Sequence, residues 1–485
     1  MKASLADRVH EEARPLAAEV PLVVDLDGTL LRTDSLLESL FVLAKEHPWS
    51  LLKLPLWLAR GRARLKQLLA SQSMPEVHAL PYHLDLLRYL REQRQRGRRL
   101  ILASGADERL ARAIAEELGI FDQVLASDGY TNLTGEVKRD RLVSCFGKRG
   151  FDYVGNNRRD LAVWRCARRA LLIGPSAGFE NAVAEVAPLE QVFPKESARA
   201  GLYLQELRWH HWSKNVLVLV PLLAQLRLHD LRMLLPASLA VCGFCLAASS
   251  IYLLNDLLDL PDDRRHSWKK ERPLASGRIP VGDAVALLPL LWLAAFAVAT
   301  ALPAAYLGAL CAYLVLMLAY NFRLKEIRIV DALVLGCGYT LRILAGALAL
   351  HMGVSPWLLG SSVLFFFSLA LLKRYAELVM MEARGELHER ARAYRIADAT
   401  ALATVGPTVA ALAILVLALY PVADSAIHQA RWWVWCIDAL LLFWSQRMWL
   451  MGARGRIRDD PVMFALKDKM SVAVGIIVLL LMIAA

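Results

Sequence analysis

From residue 22 the chain alternates short apolar runs with longer stretches whose apolar residues recur at helical spacing. The runs are LVV before Asp25, RLILAS closing on Ser104, then QVLAS, FDYVG and ALLIG, ending near residue 172. Such alternation predicts βα units, a parallel sheet covered by helices, with functional groups at the carboxyl ends of the strands. The segment 188–202, PLEQVFPKESARAGL, predicts a linker, so the chain divides into 1–200 and 201–485. Beyond Trp212 the pattern changes to long apolar segments. Nine spans are expected, near 214–226, 233–255, 281–302, 303–321, 330–351, 355–376, 399–420, 431–450 and 469–485, against the roughly 20 residues a helix needs to cross a bilayer. The stretch 46–68, HPWSLLKLPLWLARGRARLKQLL, is amphipathic with a basic tail. It reads as a helical cap over the soluble site, or alternatively as a segment lying on the membrane surface.

Composition sharpens this division. With 56% apolar residues in 485, the chain is not disordered. Its net charge of +11 is spread along the sequence rather than gathered around aromatic platforms, which argues against nucleic-acid binding. With the N-terminal domain placed in the cytoplasm, the inner loops 257–280, 322–329, 382–398 and 451–469 carry 18 Lys and Arg, while the first outer loop carries only Arg227 and Arg232. That asymmetry predicts a multi-pass protein of the inner (plasma) membrane with an outward C-terminus. The seven cysteines lie mostly in apolar segments, and Cys242 and Cys245 read as small apolar side chains rather than a redox or zinc pair. The opening MKASLADRVHEEARP is not expected to act as a secretory signal, having no long apolar core.

Candidate chemistry appears first in DLDGT, where Asp25 and Asp27 leave an apolar strand on the same side. A carboxylate nucleophile splits one displacement at phosphorus into two, and a second acid two residues on can protonate the leaving alkoxide. With Ser104, Lys138 and Asp160 in later strand ends and loops, the pattern resembles the haloacid dehalogenase phosphatase superfamily. The resemblance implies Asp25 as nucleophile and Asp27 as acid and base. It implies that Ser104 and Lys138 hold phosphate, and that Asp25, Asp27 and Asp160 hold Mg²⁺. Where that family usually reads GDxxxD, this chain has Gly155, Asn156 and Asp160, so one carboxylate is missing and a neutral oxygen donor stands in its place. A working phosphatase and a docking module both remain open.

The second cluster is NDLLDLPDD at the end of the second expected span, with Asn255, Asp256, Asp259 and Asp263. Offsets of three and seven from Asp256 place the acids on one helical face, with Pro261 disturbing the last turn. Carboxylates so close to a membrane call for a compensating cation, and Mg²⁺ bridging a diphosphate supplies one. The string resembles NDxxDxxxD, the signature of the UbiA superfamily of membrane prenyltransferases. HSWKKERPLASG at 266–277 resembles that family's basic loop, with Ser267 where Pro is common, and implies Lys269 and Arg272 as phosphate ligands.

A further cluster holds Tyr320, Asn321, Arg323, Lys325 and Asp331, with Arg342 one span on. Other members show a second DxxxD here, whereas this chain offers Asp331 and then Leu335. Fewer acids and more bases point to a phosphate that is grasped rather than bridged by metal. Arg342 lies well inside a span, where a charge needs a partner, and a phosphate or Asp331 is expected. RWHHWSKNVLVLVP at 208–221 and LLKRYAEL at 371–378, with Arg390 and Tyr394, resemble the decaprenyl-phosphate phosphoribosyltransferase branch.

That branch implies transfer of 5-phosphoribosyl from phosphoribosyl pyrophosphate to a polyprenyl phosphate. Mg²⁺ would be held by Asp256, Asp259, Asp263 and Asp331, with Asp256 and Asp259 central to catalysis. The substrate-binding set would be Asn255, Lys214, Lys269, Arg272, Tyr320, Lys325, Arg342, Lys373, Arg374, Glu377, Arg390 and Tyr394. Removal of the 5-phosphate by the N-terminal domain would follow. Two other readings stand beside it: prenyl transfer from a prenyl diphosphate to an aromatic acceptor, and a membrane-anchored phosphatase. Trp209, Trp212 and Trp268 read as interface anchors. The expected architecture is therefore an α/β haloacid dehalogenase-like domain with a helical cap, followed by an all-α membrane domain of nine helices.

Overall fold

A computed structural model describes residues 20–484 except 175, 195–199, 225–229, 267, 354, 385–392, 420–430 and 458–459. It resolves into two compact units. One comprises the chain up to Glu206 together with Asp256–Ala286, the other Leu207–Asn255 with Leu287–Ala485.

In the first unit, six strands form one parallel sheet: β1 (Leu22–Val24), β2 (Leu100–Asp107), β3 (Gln123–Ser127), β4 (Asp152–Gly155), β5 (Ala170–Ile173) and β6 (Leu189–Phe193), in the order β3-β2-β1-β4-β5-β6. The central strands β1, β2 and β4 are buried throughout because helices cover both faces. Period-two alternation sends Leu22, Val24, Leu100 and Leu102 into one core and Val23, Ile101 and Ala103 into the other. Strand order reverses between β1 and β4, and the crevice beyond their carboxyl ends is where such folds bind ligands. Asp25 follows β1 there, and Asn156 follows β4.

One expectation changes in this unit. The predicted linker 188–202 contains β6, whose outward residues Glu190, Gln191 and Val192 are exposed at the sheet edge. An edge strand open on one side lacks the apolar run by which the inner strands announce themselves. The stretch 46–68 becomes a one-turn helix followed by helices Leu54–Ala59 and Arg62–Gln72, with Trp57 packed on Leu43 and Leu69. Trp49 on the other side is 82% exposed.

The second unit is helical. Among the described residues, six helices are long and apolar enough to cross a membrane: Leu231–Leu258, Val281–Ala299, Ala304–Phe322, Val330–Ala349, Pro356–Ala383 and Ile396–Ala418. The chain is a multi-pass membrane protein, and the expected count of nine is not confirmed. Segment 214–226 is a 3₁₀ stretch, Trp209–Leu219, running into the short helix Val220–Ala224. The helix Arg431–Ala453 interrupts its apolar face with Asp438 and Arg447, and Lys469–Ala484 spans only 16 residues. The outer connection 421–430 and Arg227 lie outside the described residues. Gly346 lets the Val330–Ala349 helix meet the 3₁₀ stretch, since a Cβ there would sit 1.8 Å from the Val218 carbonyl oxygen.

Candidate functional sites

In the first unit the DLDGT turn is set by Gly28, at φ +73°, where a Cβ would also strike the Asn156 amide. Asp25 Oδ1 accepts from Lys138 Nζ at 2.7 Å, and Lys138 also donates to the Tyr153 hydroxyl at 3.1 Å. That hydroxyl donates to Asp160 Oδ1 at 3.0 Å, while Asp160 Oδ2 accepts the backbone N–H groups of Asn156 and Asn157. Asp27 Oδ1 accepts from the Ser35 backbone N–H at 2.8 Å. Ser104 is fully buried where the β2–β3 register shifts, its Oγ accepting from Ala106 N–H at 3.0 Å. Thus the structure brings together Asp25, Lys138 and Asp160 as the sequence implied, through Tyr153, which the sequence reading did not single out. It adds Lys66 from the cap, bonded to the Gly105 carbonyl and Asn132.

Burial, and then the Asp34 carboxylate, push Asp27 up to about 7. Burial and then Asp25 push Asp160 up to about 6, against the opposing pull of Lys138. An acid with this value is half-protonated near neutrality, so Asp27 can give a proton to a leaving alkoxide. Among the described residues no three His, Cys, Asp or Glu groups converge as an assembled metal cluster. The donor chemistry still fits a hard cation, because crowded buried carboxylates hold protons that a dication would displace. Two consequences follow in the metal-free protein. Raised acids support folding below the ordinary carboxylate range, and that support is withdrawn as pH rises through about 7. Mg²⁺ affinity should rise over the same window, by at least about tenfold from pH 5.5 to 8. Calorimetric titration of a variant with Asp256→Asn and Asp263→Asn, which silences the other acidic cluster, checks this; a flat profile would remove these carboxylates from the site.

The other acidic cluster also lies in this unit. Asp256 ends the Leu231–Leu258 helix, and Asp263 falls on the following helix Leu260–Arg265, turned by Pro261. The Arg272 guanidinium stands between them, 3.2 Å from Asp256 Oδ1 and paired with Asp263. Asp256 and Asp263 are carboxylates that would suit a hard cation such as Mg²⁺, and Arg272 supplies the compensating positive charge here. Burial pushes Asp263 up to about 6, with Arg272 pulling down and Asp256 pushing up. Asp259 lies 3.9 Å from Lys45, and Lys269 packs on Trp268, which is exposed. Ser267 is outside the described residues.

The second unit gathers the basic residues in two networks. Lys214, buried on the 3₁₀ stretch, donates to Asp460 Oδ2 at 2.6 Å, and Lys373 Nζ lies 3.8 Å from the same oxygen. Although burial raises the Asp460 pKa, Lys214 and Lys373 hold it well below the usual carboxylate range. Burial and then Lys214 lower His211 to about 3, so it is neutral at physiological pH. Two lysines against one carboxylate leave a surplus of positive charge suited to an anion. Asn215 beside Lys214 accepts from Arg342 Nε at 2.8 Å.

Arg342 departs from expectation. Its partners are Asn215, the Gly338 carbonyl and the Tyr313 hydroxyl, with its guanidinium 4.7 Å from the Tyr313 ring centre, and Asp331 is not among them. Three hydrogen bonds and an aromatic face satisfy the charge inside the helix bundle. Asp331, expected as a metal ligand, is fully buried, with Oδ2 bonded to Arg374 Nε at 2.6 Å and Oδ1 to the Tyr394 hydroxyl at 2.7 Å. Arg374 extends the network to Glu377 and Tyr320. Both Asp331 oxygens are thus paired within the helices. Asn255 and Lys325 are half-buried. Arg390 lies outside the described residues.

Two family models match: the UbiA prenyltransferase family over residues 216–467, which is 252 of the 485 residues, and haloacid dehalogenase-like hydrolases over 22–152. The chain is 37% identical to y4nM, an uncharacterized protein of Sinorhizobium fredii, over 95% of this chain and 90% of that one. It is 33% identical to the nodulation protein NoeC of Azorhizobium caulinodans, over 55% of this chain and 87% of that one. It is also 35% identical to the decaprenyl-phosphate phosphoribosyltransferase of Mycolicibacterium smegmatis, over 40% of this chain and 61% of that one.

Proposed function

Because the chain belongs to the UbiA prenyltransferase family and carries a haloacid dehalogenase-like domain, we propose that its membrane domain transfers 5-phosphoribosyl from phosphoribosyl pyrophosphate to a polyprenyl phosphate. The observation that carries this reading is the charge balance of the second unit, where Lys214 and Lys373 face Asp460 while Asp331 is spent on Arg374 and Tyr394. A second metal-binding acid pair is thereby replaced by basic groups. That suits a donor bearing a phosphate besides its diphosphate. The similarity to decaprenyl-phosphate phosphoribosyltransferases agrees with it.

Both families generally use Mg²⁺, and when bound it would neutralise the diphosphate as charge develops on it. Asp256, Asp259 and Asp263 would hold that ion, and Arg272 beside them would supply positive charge toward a phosphate. The anomeric C–O bond breaks as a lipid phosphate oxygen bonds to the ribose carbon, and diphosphate leaves with the electron pair. The nucleophile is already an anion, so no base is needed. The orientation follows the basic loops, with the soluble domain in the cytoplasm and the chain in the inner membrane.

In the soluble domain, Asp25 would attack the 5-phosphate of the lipid product while Asp27 protonates the departing ribose oxygen. Water then releases phosphate from the aspartyl phosphate. Lys138, hydrogen-bonded to Asp25 Oδ1, orients that carboxylate.

Lys214→Met is expected to raise KM for phosphoribosyl pyrophosphate by about tenfold or more, with a smaller effect on that for polyprenyl phosphate, as loss of a buried charge-assisted contact implies. Steady-state kinetics in proteoliposomes measure it. An unchanged KM would detach Lys214 from the donor, and saturation by a prenyl diphosphate instead would favour the prenyl-transfer reading.

A further inference from the structure

The acidic segment 256–286 folds as part of the soluble unit, and one arginine accounts for how it is held. Arg264, the residue after Asp263, sets its fork on Glu38 of the Ser35–Glu46 helix, Nη1 to Oε2 at 2.7 Å and Nη2 to Oε1 at 2.8 Å. Glu38 is 2% exposed and Arg264 9%. Thr33 donates to the same carboxylate, and Arg264 Nε donates to the Ala275 carbonyl at 3.0 Å. One guanidinium therefore ties the outgoing limb of the loop, at 264, and its returning limb, at 275, to a single helix. Asp263 immediately precedes the first of those points and Arg272 lies between them, and the two pair with each other.

Contacts around this anchor point the same way. Lys45 at the end of that helix pairs with Asp262 and stands near Asp259, and Arg265 pairs with Glu76. Gly277, at φ +71°, brings the returning limb so close that a Cβ would lie 2.7 Å from the Arg32 side chain. At its other end the helix donates Ser35 N–H to Asp27. A loop that carries Asp256, Asp259, Asp262 and Asp263 beside its own Arg264, Arg265 and Arg272 can pair its charges in several ways, and fixed partners on an outside helix select one of them. A buried, bidentate pair supplies direction as well as charge.

We propose that Glu38 and Arg264 are positioning residues for the transfer site: the soluble domain clasps the 256–280 loop so that Asp256, Asp263 and Arg272 stand ready for the metal and diphosphate. The role rests on the transferase reading above and requires no hydrolytic turnover by the soluble domain. Its removal would loosen the carboxylates without deleting any of them.

The test uses the full-length chain in lipid nanodiscs, as wild type, Glu38→Ala, Arg264→Leu and the exchanged pair Glu38→Arg with Arg264→Glu. Each single variant is expected to speed hydrogen exchange of amides in 256–280 by at least about tenfold, with β1 and β2 amides still protected. The Mg²⁺ concentration for half-maximal transfer should rise by about fivefold or more, and the exchanged pair should recover part of both effects, as coupled partners do. If Glu38→Ala loses protection in β1, Arg264→Leu, whose change lies outside the sheet, decides. Unchanged loop exchange with intact strands overturns the proposal, as does faster exchange with an unchanged Mg²⁺ requirement. Should the wild type form no labelled lipid, the transferase reading fails separately. Mn²⁺ affinity by electron paramagnetic resonance, weaker in Glu38→Ala or not, then upholds or overturns the clasp.

Discussion

Asp256→Asn is expected to lower kcat/KM for lipid-linked product at least about a hundredfold, a loss of ~2.7 kcal/mol of transition-state stabilisation. The amide keeps the shape of the side chain, so the Leu231–Leu258 helix and its turn into Leu260–Arg265 stay intact. What is lost is charge. Asp256 is buried and shares Arg272 with Asp263, and one negative oxygen fewer weakens the hold on a hard dication when the leaving diphosphate most needs it. The readout is radiolabel entering the organic phase with phosphoribosyl pyrophosphate well below its KM, with phosphate release from a simple phosphate ester as the check on folding. An undiminished rate would take the acidic motif out of the reaction, whereas phosphate release without any labelled lipid in the wild type would leave the membrane-anchored phosphatase as the better reading.

Asp25→Asn is expected to cut phosphate release by about a thousandfold or more, as loss of a covalent nucleophile does. Asp25 sits at the carboxyl end of β1, one oxygen on Lys138, so the substitution removes the attacking charge without moving the strand. Under the proposed sequence of reactions the lipid should then accumulate with its 5-phosphate, seen by mass spectrometry of extracted product. Lipid that loses phosphate at the wild-type rate would assign hydrolysis elsewhere. Phosphate absent from both variant and wild-type reactions would make the domain a scaffold, consistent with Asn156 standing where an acid is usual.

These two sites were legible in the sequence because each is compact in it. DLDGT follows an apolar strand, and Asp256, Asp259 and Asp263 fall within eight residues. Local chemistry and local periodicity coincide there, so the motif and the element that carries it are read together. The span count was less legible. Hydropathy treats 214–226 as membrane-like, whereas its backbone is 3₁₀ over Trp209–Leu219, because the segment packs close to Gly346 and buries Lys214 and Asn215. Periodicity carries no sign of that choice, which is made by a tertiary contact.

Partners distant in sequence were illegible for the same reason. Lys214 and Asp460 are separated by 246 positions, and Glu38 and Arg264 by 226. Asp331 is a further case. Its place in the chain suggested a metal ligand, and only the folded helices reveal that Arg374 and Tyr394 have claimed both oxygens. Arg342, expected beside Asp331 or a phosphate, was correctly read as needing a partner. The partner turned out to be Asn215 and a tyrosine cage.

Purified full-length chain in proteoliposomes, given Mg²⁺, polyprenyl phosphate and phosphoribosyl pyrophosphate labelled in the ribose, separates phosphoribosyl transfer from prenyl transfer in one reaction. Label should pass into the lipid phase with one diphosphate released per ribosyl transferred, and omission of polyprenyl phosphate should abolish both. Label that stays in the aqueous phase, together with diphosphate release that requires a prenyl diphosphate and an aromatic acid, would contradict phosphoribosyl transfer.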